Sequence, residues 1–182
     1  MALMRRFFII IPISSHKKAF RLTDRQLIEL YHCGKQEEAF NGIVDAYTER
    51  LYWHVRRFLC SHEDTNDLLQ DIFIKVWTSL STFRGDAKLY TWIYRIATNE
   101  TLTFLKKKRI GSFLSLGNYD KVLENKLQSD PYFNGDKLQY ALQREIIKLP
   151  DKQRAVFTLR YFQELKYEEI SEIMDTSVGA LK

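Results

Sequence analysis

The sequence predicts an all-α chain of two small helical domains joined by a linker, and three observations carry that prediction. From Thr23 onward, apolar residues recur at three- and four-residue intervals, the spacing of helices with one buried face. No run alternates with period two: Ile9 to Ile13 is the only β-like segment, and it has no partner. Between two helical blocks, residues 110–136 are punctuated by Gly111, Ser112, Gly117, Asn118, Ser129, Asp130, Pro131, Asn134 and Gly135, the composition of a linker.

The elements follow in order. Residues 1–22 read as an N-terminal tail. Met1-Ala-Leu-Met-Arg-Arg before Phe7-Phe-Ile-Ile-Ile looks like the start of an export signal, but the apolar run is short, Pro12 interrupts it and no small-x-small site follows. Thr23 with Gln26 is a capping-box pattern that opens a first helix, and Gly34 closes it. Phe40, Ile43, Val44, Tyr47, Leu51, Val55, Phe58 and Leu59 mark a second helix. A third spans about Asp64 to Leu80 on Leu68, Leu69, Ile72, Phe73, Val76 and Leu80. After the break Phe83-Arg-Gly-Asp86, with Asp86 as cap, a fourth runs to about Lys108 on Leu89, Trp92, Ile93, Ile96, Leu102 and Leu105. In the linker Phe113, Leu114, Leu116, Tyr119, Tyr132 and Phe133 are too apolar for an inert spacer, so parts of it pack. Beyond it, Leu138 to Leu149 forms a helix ended by Pro150, and Asp151 caps a second through Val156, Phe157 and Leu159. Tyr167 to Met174 is a third, with Ile170 and Ile173 inward. The turn Asp175-Thr-Ser177 and a last element from Val178 complete a helix-turn-helix pattern.

Composition narrows the function. Of 182 residues, 45% are apolar and 14% aromatic, too many for a disordered chain, and no apolar run reaches the roughly 18 residues of a membrane span. Cys33 and Cys60 cannot build a multi-disulfide framework; they are either buried thiols or a single bridge. The net charge of +5 is concentrated. Residues 84–110 carry seven cations (Arg84, Lys88, Arg95, Lys106, Lys107, Lys108, Arg109) against Asp86 and Glu100, while the flanking segments are nearly neutral. A polyanion partner is the simplest reason to gather charge in one window. Catalytic patterns are absent: no Gly-rich phosphate loop, no His-Glu-x-x-His, no nucleophile elbow. His16, His32, His54 and His62 lack the repeated spacing of a zinc site, and Glu168 with Glu169 suits the first turn of a helix. We expect no enzyme, no metal and no cofactor.

Two segments bear on binding. In Asp67-Leu-Leu-Gln-Asp71-Ile-Phe-Ile-Lys-Val-Trp77, Asp67, Gln70, Asp71 and Lys75 fall near one helical face, either a solvated face or a docking surface that offers carboxylates to a basic partner. From Phe83 to Arg109, Phe83, Tyr90, Trp92 and Tyr94 interleave with Arg84, Lys88, Arg95 and Asn99. Aromatic rings stack on exposed bases, cations neutralise phosphates, and an Asn amide both donates to and accepts from a base edge. Trp92 reads better as core; Tyr94, Arg95 and Asn99 read better as nucleic-acid contacts.

Asp67 to Trp77, Phe83-Arg-Gly-Asp86 and Tyr90-Thr-Trp-Ile-Tyr-Arg-Ile-Ala-Thr-Asn99 together resemble the second conserved region of bacterial RNA polymerase sigma factors, most closely the extracytoplasmic-function group of the sigma-70 family. Leu149-Pro-Asp-Lys-Gln-Arg-Ala-Val-Phe157 and Tyr167-Glu-Glu-Ile-Ser-Glu-Ile-Met-Asp175 resemble the fourth region of that group. The resemblance implies region 2 over 23–109, a linker over 110–136, and a region 4 helix-turn-helix over 137–182. It implies that Asp67, Leu68, Gln70, Asp71 and Phe73 face core RNA polymerase. It implies that the loop around Phe83 to Asp86, with Ser79, Tyr94, Ile96 and Asn99, captures a flipped base of the −10 element. Lys75, Arg84, Arg95, Lys106, Lys107, Lys108 and Arg109 would hold phosphates.

There are two departures from the family pattern. Trp92 is followed by Ile93 where housekeeping members carry a second tryptophan, a change the extracytoplasmic group shares, which implies weaker intrinsic melting. The recognition helix of region 4 has only Val178 to Lys182, about one turn, and Lys182 matches only the first of its basic residues. The expectation is that this chain reads the −10 strand but recognises a −35 element only if that helix is completed. The expected function is promoter specificity in transcription initiation, in the cytoplasm, with core polymerase, promoter DNA and an anti-sigma factor as partners and without membrane insertion. The alternatives are a helix-turn-helix regulator acting without polymerase and a helical protein-interaction adaptor.

Overall fold

The computed structural model describes residues 22–83, 85, 87–114 and 119–181; residues 1–21 of the N-terminal tail, Arg84, Asp86, the linker residues 115–118 with Leu116, Gly117 and Asn118, and Lys182 lie outside the described residues. The described elements are all helical. They are α1 (Asp24–His32), α2 (Gln36–Leu59), α3 (His62–Ser79), a 3-10 turn (Leu80–Thr82) and α4 (Leu89–Leu114). After them come α5 (Tyr119–Ser129), α6 (Pro131–Asn134), α7 (Lys137–Ile147), α8 (Asp151–Phe157), a wider π turn (Thr158–Phe162), α9 (Tyr167–Met174) and α10 (Val178–Leu181). The chain divides into two compact units, residues 1–49 and 50–182.

In the first unit the capping box forms as the sequence implies: Gln26 N–H donates to the Thr23 hydroxyl, and Thr23 N–H donates to the Gln26 side chain at 2.8 Å. The Tyr47 hydroxyl donates to the Asp24 carboxylate at 2.8 Å, fixing α1 against α2. Gly42 permits their close approach, since a Cβ there would sit 2.4 Å from a Leu27 methyl. Cys33 is exposed at the end of α1, and Cys60 is buried; both are free thiols.

In the second unit α3 and α9 both pack along α4, and α5 and α6 pack against α7. The stretch that reads as a linker therefore carries two helices, and its Tyr119, Leu123, Leu127 and Phe133 are buried. Burial of these four side chains anchors segments too short to be stable helices alone. The C-terminal end of α2 leaves backbone carbonyls without helical partners. Gln143 donates its amide to Arg57 O at 2.7 Å, and the fully buried Arg154 donates to Phe58 O at 3.4 Å. A cation at a helix C-terminus also suits the helix dipole. Arg56 and Asp130 form a buried ion pair between α2 and the start of α6. Asp175 takes a left-handed conformation (φ 49°) that ends α9 and starts the turn into α10. Two helix starts shift by local chemistry: α3 begins at His62 with Ser61 as its cap, two residues before the expected start near Asp64, and Asp151, expected as a cap, is the first helical residue of α8, behind Pro150.

Candidate nucleic-acid and polymerase interface

α3 presents an outward edge and an inward one. Asp67, Asp71, Ile74 and Lys75 are exposed, and Gln70 is half-buried. Leu68 and Phe73 do not belong to that edge: they are 3% and 1% exposed. Both were expected at a docking face; the helix buries a wide apolar stripe that takes them inward. Ile74, at 40% exposed, instead supplies an apolar side chain on the edge, one turn beyond Gln70 and Asp71. Lys75 pairs with Glu100 across α3 and α4, so this cation already has a protein counter-ion.

The aromatic and basic residues of α4 are positioned by a buried platform. His54 is fully buried on α2 and shares a 3.2 Å hydrogen bond between its Nε2 and the Thr98 hydroxyl. Its ring meets Tyr94 edge-on at 5.3 Å. Burial, aided by the positive charge of Arg57, pushes the His54 imidazole down to about 3, which keeps it neutral. Periodicity gave no sign of this platform, because a lone histidine on an apolar stripe looks like any core position.

Tyr94 was expected to wall an open pocket, but it is fully buried. Its hydroxyl donates to the Gln163 side chain just before α9, and burial raises its pKa. Arg95 donates to Glu172 O, through Nε at 2.8 Å. Tyr90 and Lys88 both donate to the Glu169 carboxylate, Lys88 at 3.2 Å. The Tyr90 hydrogen bond holds that carboxyl below its usual range against the opposing effect of burial. Glu169 also accepts from Lys166 N–H at 3.0 Å, so it caps α9 as the first-turn reading implies and has this second task.

The remaining predicted residues separate into two groups. Phe83 is 8% exposed and packs on Trp92 with ring centres 5.2 Å apart; Ser79 and Ile96 are half-buried. Asn99 is exposed one turn after Arg95, and Lys106 and Lys107 are exposed further along α4. The run Lys106–Arg109 is not a uniform cationic patch, as expected from composition. Lys108 pairs with Asp64 at 3.2 Å, Lys126 joins the same carboxylate, and Arg109 pairs with Asp151. Burial pushes the Asp64 carboxyl up, but Lys126 and Lys108 outweigh it and hold the group below its ordinary value. Lys182 and Arg84 lie outside the described residues, so the structure places neither.

This arrangement joins an exposed acidic edge on one helix to a helix carrying aromatics, an amide and cations, and it adds a helix-turn-helix. Family comparison agrees with that grouping. The Sigma-70 region 2 model matches residues 43–110, and the Sigma-70 region 4 model matches residues 139–182. The chain is 32% identical over 154 residues to the ECF RNA polymerase sigma factor SigW of Bacillus subtilis, covering 80% of this chain and 82% of that protein. It is 35% identical over 170 residues to the ECF RNA polymerase sigma-E factor of Escherichia coli K12, covering 89% and 88%. The fold is similar to that of CnrH, solved in complex with the cytosolic domain of CnrY (TM-score 0.62, 21% identity, 87% of this chain and 86% of that one). It is also similar to the sigma factor RpoE of Bartonella quintana, solved with the anti-sigma factor NepR (TM-score 0.57, 18% identity, 78% and 86%).

Proposed function

The chain belongs to the extracytoplasmic-function group of the sigma-70 family, and we propose that it holds core RNA polymerase with the outward edge of α3 while reading promoter DNA with α4. Its function is to confer promoter specificity on RNA polymerase in transcription initiation, with core polymerase and promoter DNA as partners. The single observation that carries this is the presence of both sigma regions, in order, on one chain. It acts as a regulatory subunit, with the polymerase performing the chemistry, and works in the cytoplasm, where the template is. No helix among the described residues is long and apolar enough to cross a membrane.

The chemistry of the two surfaces supports this assignment. Asp67 and Asp71 lie two turns and one turn N-terminal to the exposed Ile74 on the same edge, acidic groups beside an apolar side chain that together suit a basic partner surface. On α4, Asn99 has the donor and acceptor needed to recognise a base edge, and we assign Ser79, Phe83 and Ile96 to the same base-binding role and Arg84 to the strand's phosphates. Lys106 and Lys107 meet phosphates directly, whereas Lys75, Arg95, Lys108 and Arg109 exchange their present protein partners for phosphate oxygens. Control comes from an anti-sigma factor that competes for these surfaces.

Reconstitution tests the reading. The chain mixed with core polymerase should co-elute with it and should direct initiation from a defined subset of a promoter library. A chain that retards duplex DNA alone, and leaves polymerase specificity unchanged, would instead be a free-standing regulator.

A further inference from the structure

We propose that α9 is a nucleic-acid mimic that occupies the basic and aromatic edge of α4 in the free chain, so that single-stranded DNA must displace it; this rests on the reading of α4 as the DNA-binding helix. The contacts share one polarity. In four described contacts the donor lies within residues 88–95 and the acceptor within 163–172: Lys88 and Tyr90 on the Glu169 carboxylate, Tyr94 on the Gln163 amide oxygen, Arg95 on the Glu172 carbonyl. The acceptors are what a DNA strand also offers, an anionic oxygen pair and neutral oxygens. Glu172 O belongs to the last turn of α9, where the helix dipole adds negative potential.

The mimicry extends beyond these contacts. Residues 164–175 hold five acids (Glu164, Glu168, Glu169, Glu172, Asp175) and one cation, Lys166. α9 buries Ile170 and Ile173, packs along α4, and leaves its acids on the remaining faces. With Tyr94 fully buried, no base can stack on it until α9 moves. The Lys88–Glu169 ion pair is exposed on its lysine side and so individually weak, and DNA would compete for that part of the cover first. A cover of this kind lowers apparent DNA affinity by the fraction of time the edge is open.

The test measures binding of the full chain to a fluorescein-labelled single-stranded DNA of randomised sequence. Glu169→Gln removes the charge facing Lys88 and Tyr90 but keeps an acceptor for the Lys166 N–H, so α9 stays capped; Gln163→Ala removes the Tyr94 partner. Together they should tighten binding about tenfold if the open form is about a tenth of the wild-type population. Adding Arg95→Ala should remove part of the gain, and thermal melts followed by circular dichroism should show each variant folded. Equal affinity of wild type and the double variant, with Arg95→Ala weakening both, overturns the mimic while the DNA-binding reading stands. Affinity indifferent to Arg95→Ala and Lys107→Ala in both backgrounds overturns that reading and the proposal with it.

Discussion

The outward edge of α3 and the basic edge of α4 are both surface motifs, but one is open and the other is covered. Asp67, Asp71 and Ile74 face solvent. Lys88, Tyr90, Tyr94 and Arg95 are hydrogen-bonded to residues 163–172 of the same chain. The difference follows from charge. A mostly acidic edge finds no counterpart in an acidic α9, whereas a basic edge does. In a chain of mixed charge, a binding surface is exposed only where no other segment satisfies its chemistry.

The strongest way to break this comparison is to reverse the open edge. Asp71→Lys places a cation where a basic partner surface is expected, and like charges across an interface cost several kcal/mol, about a hundredfold or more in affinity. Affinity for core polymerase, measured by competition against the wild-type chain, should fall accordingly. Because Asp71 is exposed, stability should change by no more than about 0.5 kcal/mol. A mutant that competes as well as wild type removes the docking role from this edge.

The covered edge has its own vulnerability, beneath Tyr94. His54 is held neutral at a folded pKa of about 3, against an unfolded value of 6.5. The unfolded chain therefore binds a proton between those pH values and the folded chain does not. Stability from this group is complete above pH 6.5 and falls as pH drops toward 3, by about 1.4 kcal/mol per pH unit. By pH 4.5 the loss is about 2–3 kcal/mol by the same slope. Urea titrations at pH 7 and 4.5 should show it, and His54→Gln should flatten the dependence. The lowered carboxyls of Glu169 and Asp64 lose their contributions at lower pH, below their ordinary values of 4.5 and 3.8, so the windows separate. A wild-type chain equally stable at both pH values would mean that water reaches His54.

Asn99→Ala tests the uncovered part of α4. If its amide makes a bidentate base contact, affinity for a selected −10 oligonucleotide should fall by about 1–3 kcal/mol, with little change for a scrambled one. Equal loss for both would reduce Asn99 to a phosphate or packing role and blur the contrast with Arg95.

Much of this arrangement is legible in the sequence, and the failures share a cause. The capping box at Thr23 and the span Tyr167–Met174 are local signals, and both form as read. Which residues lie on a helical face is also local, but how wide the buried stripe is depends on neighbours, so Leu68 and Phe73 turn inward while Ile74 stays out. α5 and α6 are too short and too interrupted by Gly, Asn and Pro to announce themselves; packing of Leu123, Leu127 and Phe133 makes them helical. The π turn at 158–162 and the cover over Tyr94 have no periodic signature at all. Periodicity assigns a face without naming its occupant.

The smallest effect separates cations that wait for DNA from those already satisfied. Lys107 is exposed, and Lys108, its neighbour, is paired with Asp64 and shares that carboxylate with Lys126. A phosphate contact made by Lys107 releases a counter-ion on binding, so Lys107→Ala should reduce the slope of log affinity against log salt by about one, equally for all sequences. Lys108→Ala should reduce the slope by less, because binding through Lys108 exchanges one anion for another and frees Asp64 to attract a cation from solution. Fluorescence titrations of both variants across a salt series, with one single-stranded DNA, decide the matter. Identical slopes for the two variants would show that the Asp64 pairing dissolves when DNA arrives. The run Lys106–Arg109 would then act as the uniform patch its composition suggests, and the division between free and satisfied charge would be a property of the unbound chain only.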